Sequence, residues 1–304
     1  MLILKKIQGA AKLTKETALC HQSSFRCLFS KSALKISIII VHFFGEEHLK
    51  NCLDSIPLHP SISELVIVDN GSNEGFTERI SGSRTDLTFL SNEKNIGYGA
   101  AVNKGAQAAT GDILLVLNQD IILHEDTLTE LIRSVEQHGN VSIWGAQLQN
   151  ARSVEQGSVG PFPTLFNWIM RLFKPKGQRK YYSSQPNAGS QVDWATGAFL
   201  AIRSSSFNTL NGFDENYFMY YEDVDLCKRA EGIGHITVIS SAMATHSSPI
   251  SERHDVPPEL LKAIRQGQLR YFNEHRPKWE FAILLIVTRG LYFLNGWKWR
   301  STYL

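Results

Sequence analysis

Four cysteines in 304 residues, Cys20, Cys27, Cys52 and Cys227, form no CxxC pair and follow no regular spacing. No disulfide framework and no cysteine-built zinc site is expected, and the pattern fits reduced thiols in a cytosolic compartment. A bias of charge is missing too: the net charge of +2 lacks the strong basic excess of a nucleic-acid binder. There is no GxGxxG and no GxxxxGK[ST], which argues against a dinucleotide fold and a P-loop. The apolar run Phe281–Val287 is followed by Arg289 and is too short for a membrane span. No internal repeat is visible.

What is present is 43% hydrophobic residues, enough to bury one large core or two modest ones. Residues 1–35 form a basic leader, with Lys5, Lys6, Lys12, Lys15, Arg26, Lys31 and Lys35 against the single acid Glu16. It lacks the apolar stretch of a secretory signal. A disordered or weakly helical extension, a segment lying on an anionic membrane, and a transit peptide all share this composition.

From Ile36 short apolar runs alternate with helical patterns. Ile36–Val41, Leu65–Val68, Leu87–Leu90 and Ile113–Leu117 read as strands. Glu46–Ile56 and an alanine-rich stretch ending near Ala109 read as helices. Such alternation predicts an α/β fold with a largely parallel central sheet flanked by helices. Ligands of such sheets sit outside the carboxyl ends of the strands. Three strands end there in polar groups, at His42, at Asp69-Asn70 and at Asn118-Gln119-Asp120, and together they predict a nucleotide site.

Further on, Gly212 leads through Phe213, Tyr217, Phe218, Tyr220 and Tyr221 to Glu222, Asp223 and Asp225 at the start of a helix. Aromatic walls bind sugar rings, and a neighbouring carboxylate can take a proton from a hydroxyl. Acids in a first helical turn also suit the helix dipole.

Between these regions, residues 150–191 lack clear periodicity, as in a functional or mobile loop. They carry an apolar patch, Phe162, Leu165, Phe166, Trp168, Ile169, Met170, Leu172 and Phe173, flanked by Arg171, Lys174 and Lys176. It reads either as a lid touching membrane or a lipid-linked acceptor, or as ordinary packing. Glu259–Glu274 reads as an amphipathic helix, and Trp279–Trp299 as an interfacial helix with aromatics and cations at its edges. Peripheral membrane attachment and a homodimer interface are its two readings.

Residues 36–246 resemble an inverting glycosyltransferase of family 2 and GT-A type, closest to the bacterial rhamnosyltransferase-like branch. The resemblance rests on Val68-Asp69-Asn70-Gly71-Ser72, the run Asn95–Gly105, Leu117-Asn118-Gln119-Asp120, the run Trp194–Phe199, and the aromatic-acidic segment ending at Leu226. It implies a GT-A domain over 36–246, with a nucleotide-binding half at 36–120 and an acceptor half at 121–246. A helical segment at 247–304 follows.

The resemblance also implies roles. Asp69 would meet the base or ribose, while Asn95 and Lys104 would lie near the nucleoside or diphosphate. Asn118 and Asp120 occupy the family's DxD position, with Asp120 and His246 as ligands of Mg²⁺ or Mn²⁺. Asp223 would be the catalytic base and Glu222 would orient it or bind acceptor hydroxyls, a role also open to Asp225. Trp194 would form the acceptor wall, with room for the donor sugar at Gly197 and Ala198. The activity implied is transfer of a sugar such as L-rhamnose from a nucleoside diphosphate to a glycan or lipid-linked oligosaccharide. The setting implied is cell-surface polysaccharide synthesis, in the cytoplasm at the inner face of the plasma membrane. Asn118 in place of an acid leaves a second reading, a degenerate sugar-nucleotide-binding subunit. Nucleotidyl transfer to a sugar phosphate would need a basic triphosphate loop that is absent.

Overall fold

The computed structural model describes residues 34–72, 84–173, 190–247 and 257–295. Most of the basic leader, the stretch holding Lys174, Lys176, Pro175 and Pro186, and the aromatic cluster around Trp299 lie outside the described residues.

The elements follow in order: β1 (Ile36–His42), α1 (Glu46–Ser55), β2 (Ile62–Asp69), β3 (Leu87–Ser91), α2 (Tyr98–Ala108), β4 (Ile113–Asn118), β5 (Ile121–Leu123), α3 (Thr127–Gln137) and β6 (Val141–Gln149). Then come β7 (Glu155–Gln156), β8 (Val159–Gly160), α4 (Leu165–Leu172), β9 (Trp194–Ala195), β10 (Phe199–Arg203), α5 (Ser204–Thr209), α6 (Glu222–Ala230), β11 (His235–His246), α7 (Pro258–His275) and α8 (Lys278–Asn295).

A nine-stranded sheet runs β3-β2-β1-β4-β10-β6-β11-β5, with β7 paired to β6. Every side chain of β1 is buried, as a strand covered on both faces requires. β2, β1 and β4 are parallel, with Val41 opposite Asn118 and His42 opposite Asp69, so their carboxyl ends form one rim. α1 buries Leu49, Cys52 and Leu53 on one face. α2 is alanine- and glycine-rich because it lies very close to the sheet: a Cβ on Gly105 would come within 2.7 Å of Ile39.

Two local features differ from the sequence reading, and one further strand, β11, is longer than its apolar residues suggest. β10 runs antiparallel to both β4 and β6, since an apolar run carries no sign of its direction. The segment expected as a long loop contains β7, β8 and α4; these elements of two to eight residues are too short for a period to show. β11 continues through Ser240–Thr245 to His246, past a register irregularity between Ile239 and Met243 that breaks the apolar pattern.

Candidate active site

β4 and β10 bring the two halves of the site together. Leu117 pairs with Phe199, and the Asn118 N–H donates to the Ala198 carbonyl at 3.0 Å. Gly197 therefore lies beside the end of β4. Its N–H donates to Asp223 Oδ2 at 2.9 Å, and its carbonyl accepts from the Tyr98 hydroxyl at 2.7 Å. Residues 98, 118, 197 and 223, remote in sequence, thus meet through one strand ladder and two hydrogen bonds.

The metal-position residues are joined by a second ladder. The chain steps from β4 to β5 through Gln119 and Asp120, and Ile121 pairs with His246. This sets His246 Nε2 3.2 Å from Asp120 Oδ1. Burial works to raise the Asp120 carboxyl, but the hydrogen bond and charge of His246, with help from His48, outweigh it and hold the group below the usual range. An anionic oxygen beside an imidazole nitrogen fits a hard divalent cation that keeps several waters, and the nitrogen leans towards Mn²⁺. Gln119 turns the other way: its carbonyl accepts from the Phe43 N–H at 3.1 Å and its amide donates to the Phe44 carbonyl, tethering the loop after β1.

The acidic pair enters through a strained turn. Tyr220 and Tyr221 both have positive φ, 69° and 73°, immediately before α6. Such conformations persist only where their surroundings hold them. Here Gly267 of α7 packs against the Tyr220 carbonyl, where a Cβ would come within 2.5 Å. Gln268 donates to the Tyr221 hydroxyl at 3.2 Å.

Glu222 is 6% exposed and its Oε2 has no partner among the described residues. Burial, then the charge of Asp223, push its carboxyl well above the ordinary range. Asp223 is also raised by burial, but the N–H groups of Gly197 and Val224 and the Thr196 hydroxyl oppose the rise. The two environments separate the pair, and Asp223 ionises before Glu222. Tyr98, whose hydroxyl is pushed up by burial and then by the charges of Glu222, Asp223 and Asp120, lies within electrostatic reach of all three.

The nucleotide rim is a network of asparagines. Asp69 Oδ1 accepts from the Ser72 N–H at 2.8 Å, shaping the turn. Asn70, 2% exposed, donates to Asn95 Oδ1 and the Gly97 carbonyl and accepts from Asn92 and the Ile96 N–H. Asn95 also accepts from the Gly97 N–H, so its carbonyl shapes the loop. The Lys104 amino group is held by the Ser91 carbonyl and by Asn92, at the end of β3.

Gly97 has φ of 96°, and a Cβ there would come within 2.7 Å of the Phe218 carbonyl oxygen. Gly97→Ala is expected to destabilise the protein by about 1–3 kcal/mol and to lower transfer activity. Urea unfolding and an activity assay check both.

Two expected site residues are placed elsewhere. Trp194 is 3% exposed within the core, with its indole N–H on the Pro161 carbonyl, so it backs the wall and offers no face for stacking. Asp225 projects from α6 away from Asp223. Its oxygens are taken by Arg229 at 2.8 Å and His275 at 2.6 Å. With Glu274 it borders a cavity of about 590 Å³ whose lining includes none of Asp120, Asp223 or His246. Asp225, Glu274 and His275 place ligand-type atoms within 4.8 Å of one another, but Arg229 and Arg270 already balance the two carboxylates. The sequence reading left out Tyr98, Thr196 and Gln156. Tyr98 lay inside a quoted motif, whereas Gln156 carried no signal.

Residues 37–195 match the family described as Glycosyl transferase family 2. Rhamnosyltransferase WbbL of Escherichia coli (strain K12) is 30% identical over 253 residues, 79% of this chain and 94% of that protein. N-acetylglucosaminyl-diphospho-decaprenol L-rhamnosyltransferase of Mycobacterium tuberculosis (strain CDC 1551 / Oshkosh) is 26% identical over 280 residues, 84% of this chain and 89% of that protein.

Among solved structures, GalNAc-T7 with UDP, GalNAc and Mn²⁺ superposes with a TM-score of 0.58 at 16% identity, covering 79% of this chain and 49% of that one. Staphylococcus aureus TarS 1-349 in complex with UDP-GlcNAc gives 0.54 at 17% identity, covering 86% and 73%. These structures carry the fold alone, which is GT-A.

Proposed function

Because the chain belongs to glycosyl transferase family 2, in its rhamnosyltransferase-like branch, we propose that it transfers L-rhamnose from a nucleoside diphosphate to a lipid-linked oligosaccharide, with inversion. The observation that carries this reading is the position of Asp223. It is fixed by Gly197, one ladder step from the Asn118–Asp120 turn, and Asp120 is anionic beside His246.

Asp223 takes the proton of the acceptor hydroxyl while that oxygen bonds to the anomeric carbon. The bond from that carbon to the diphosphate oxygen breaks on the opposite face, and the nucleoside diphosphate leaves with the electron pair. A divalent cation held by Asp120 and His246 would offset the charge that builds on the leaving group. Tyr98 fixes the Gly197 carbonyl, and with it the N–H that aims Asp223. Asp69 and the asparagine network frame the nucleoside pocket. The L-rhamnose assignment is supported by the two rhamnosyltransferases above, and the lipid-linked acceptor by the decaprenol-linked substrate in the name of the second.

Melting the protein against dTDP-, UDP- and GDP-sugars, with and without Mn²⁺ or Mg²⁺, tests the donor site. A donor at a hundred times its dissociation constant adds about 2.7 kcal/mol, which raises the midpoint by about 5 °C. Asp120→Ala is expected to lose the metal-dependent part of that rise. A rise without turnover would leave the binding-subunit reading in front, and no rise with any donor would count against both readings.

An anionic membrane surface is the second partner in this proposal. No helix among the described residues is long and apolar enough to cross a bilayer. α4 with the Phe173 that follows it, and α8, instead carry matching exposed stripes, Phe166-Met170-Phe173 and Trp279-Ile283-Ile286, each spaced by four and three residues. The helices are joined where the Leu165 N–H donates to Glu280 at 2.9 Å. Six such side chains expose several hundred Å², on the order of the largest patch on an ordinary monomer or above it. Lys278 and Arg289 are exposed on α8, while Glu280, its one acid, is buried and paired with Arg276. Apolar stripes edged by cations suit the interface of an anionic bilayer at the cytoplasmic face. The protein is expected to co-sediment with phosphatidylglycerol vesicles and not with phosphatidylcholine vesicles. Phe166→Ser/Ile286→Ser is expected to reduce the bound fraction at least threefold. Equal binding by the double variant would rule out this surface.

A further inference from the structure

Beside the metal-position pair lies a side chain to which neither the sequence motifs nor the family match gives a role. β10 covers β6 only from Ile143 to Gly145, and beyond it the two-residue β7 takes the vacated edge, with Gln156 opposite Leu148. From there the Gln156 carboxamide reaches His246, its nitrogen 3.1 Å from Nδ1. The carboxamide oxygen is buried and has no partner among the described residues.

The chemistry of these two groups is restrictive. An amide nitrogen only donates, so in this arrangement Nδ1 accepts and the neutral ring carries its hydrogen on Nε2. That hydrogen points at Asp120 Oδ1, 3.2 Å away. An Nε2 that carries hydrogen has no lone pair for a cation. Turning the amide by 180° exchanges its two ends. The oxygen then accepts from Nδ1–H and gains the partner it lacks, while Nε2 is left with a lone pair directed at Asp120.

We propose that Gln156 is a positioning residue that sets the tautomer of His246, with its amide turning to present Nε2 when a divalent cation binds. The inference rests on the metal role proposed for Asp120 and His246. The carbonyl is without a partner in the cation-free arrangement and accepts from Nδ1–H in the turned one, where the amide nitrogen takes its buried place and the cation at Nε2 has to offset that cost. Partners of this kind typically change metal affinity by about 10–100-fold when they are removed.

The test uses the full chain with ¹⁵N-labelled histidine and Mg²⁺ as a diamagnetic probe, together with Mn²⁺ titration followed by electron paramagnetic resonance. In the wild type, the His246 nitrogens are expected to report hydrogen on Nε2 without metal and on Nδ1 with Mg²⁺. Gln156→Leu, shown by circular dichroism to be folded, is expected to bind Mn²⁺ at least tenfold more weakly. Gln156→Glu, whose carboxylate only accepts, is expected to hold Nδ1–H before any metal is added. If the wild type binds Mn²⁺ but Gln156→Leu binds it equally well, or if the tautomer does not change with Mg²⁺, the role of Gln156 is overturned and the metal site stands. If the wild type binds neither ion, both fall together.

Discussion

Asp223→Asn is expected to slow sugar transfer by about 10²–10⁴-fold while leaving the donor-induced rise in melting temperature intact. The replacement keeps the shape and the hydrogen-bond acceptor facing the Gly197 N–H, but it cannot take up the acceptor's proton. Steady-state transfer and thermal shift, measured on the same sample, separate chemistry from binding. Near-normal turnover would remove Asp223 from the reaction.

Glu222→Gln should behave differently, although the two residues are adjacent. Burial and then the charge of Asp223 raise the Glu222 carboxyl well above the ordinary range and favour its neutral form, and glutamine resembles that neutral acid. Turnover within about tenfold of wild type is therefore expected, in contrast to the loss at Asp223.

The pH dependence follows from the same environments. Asp223 is raised above the ordinary aspartate range of about 3.9, so the acid limb of the rate profile should fall at a higher pH than a free aspartate would give. For stability, the folded pKa of Glu222 lies above its unfolded value. Its contribution is therefore complete below the unfolded pKa of about 4.3 and is lost as pH rises towards and through the folded value. Glu222→Gln lacks this loss, so its melting temperature should gain on wild type as pH rises above the unfolded value.

The second large effect lies at the nucleotide rim. Asn70→Ala removes four hydrogen bonds at a side chain that is 2% exposed. A buried donor or acceptor left unpaired costs about 1–3 kcal/mol. The Ile96 N–H and the Gly97 carbonyl both lose this partner, so a destabilisation of about 3 kcal/mol or more is expected. Faster hydrogen exchange across residues 92–99 should accompany weaker donor binding. An Asn70→Ala protein of wild-type stability would show that backbone contacts alone hold the rim.

Much of the frame was legible because its signals are local. Apolar runs that end in Asp69 or Asn118 announce buried parallel strands, and the rim follows from their shared direction. Residues whose roles depend on partners across the fold were harder to place. Asp223 and Asp225 are neighbours on paper, but two helical steps of about 100° each turn them apart, one to Gly197 and the other to Arg229 and His275. Lys104 looks like a phosphate ligand until the end of β3 is seen to occupy it. Trp194 reads as wall from its motif, and only its burial and its hydrogen bond to the Pro161 carbonyl place it in the core. Gln156 sits on a strand of two residues, which leaves no period to read.

The contacts that hold the strained Tyr220–Tyr221 turn have a practical consequence. The family match ends at residue 195, yet the acidic pair lies at 222–223. The turn presenting that pair is braced by residues of α7: Gly267 against Tyr220, Gln268 on Tyr221, and Glu274 accepting from the Tyr217 hydroxyl at 2.9 Å. A shortened version cut at residue 246 would retain every motif a search recognises and lose the clamp that keeps two tyrosines in their costly conformation. Anyone trimming this protein for expression, or grafting its catalytic half onto another scaffold, should carry the chain at least through His275.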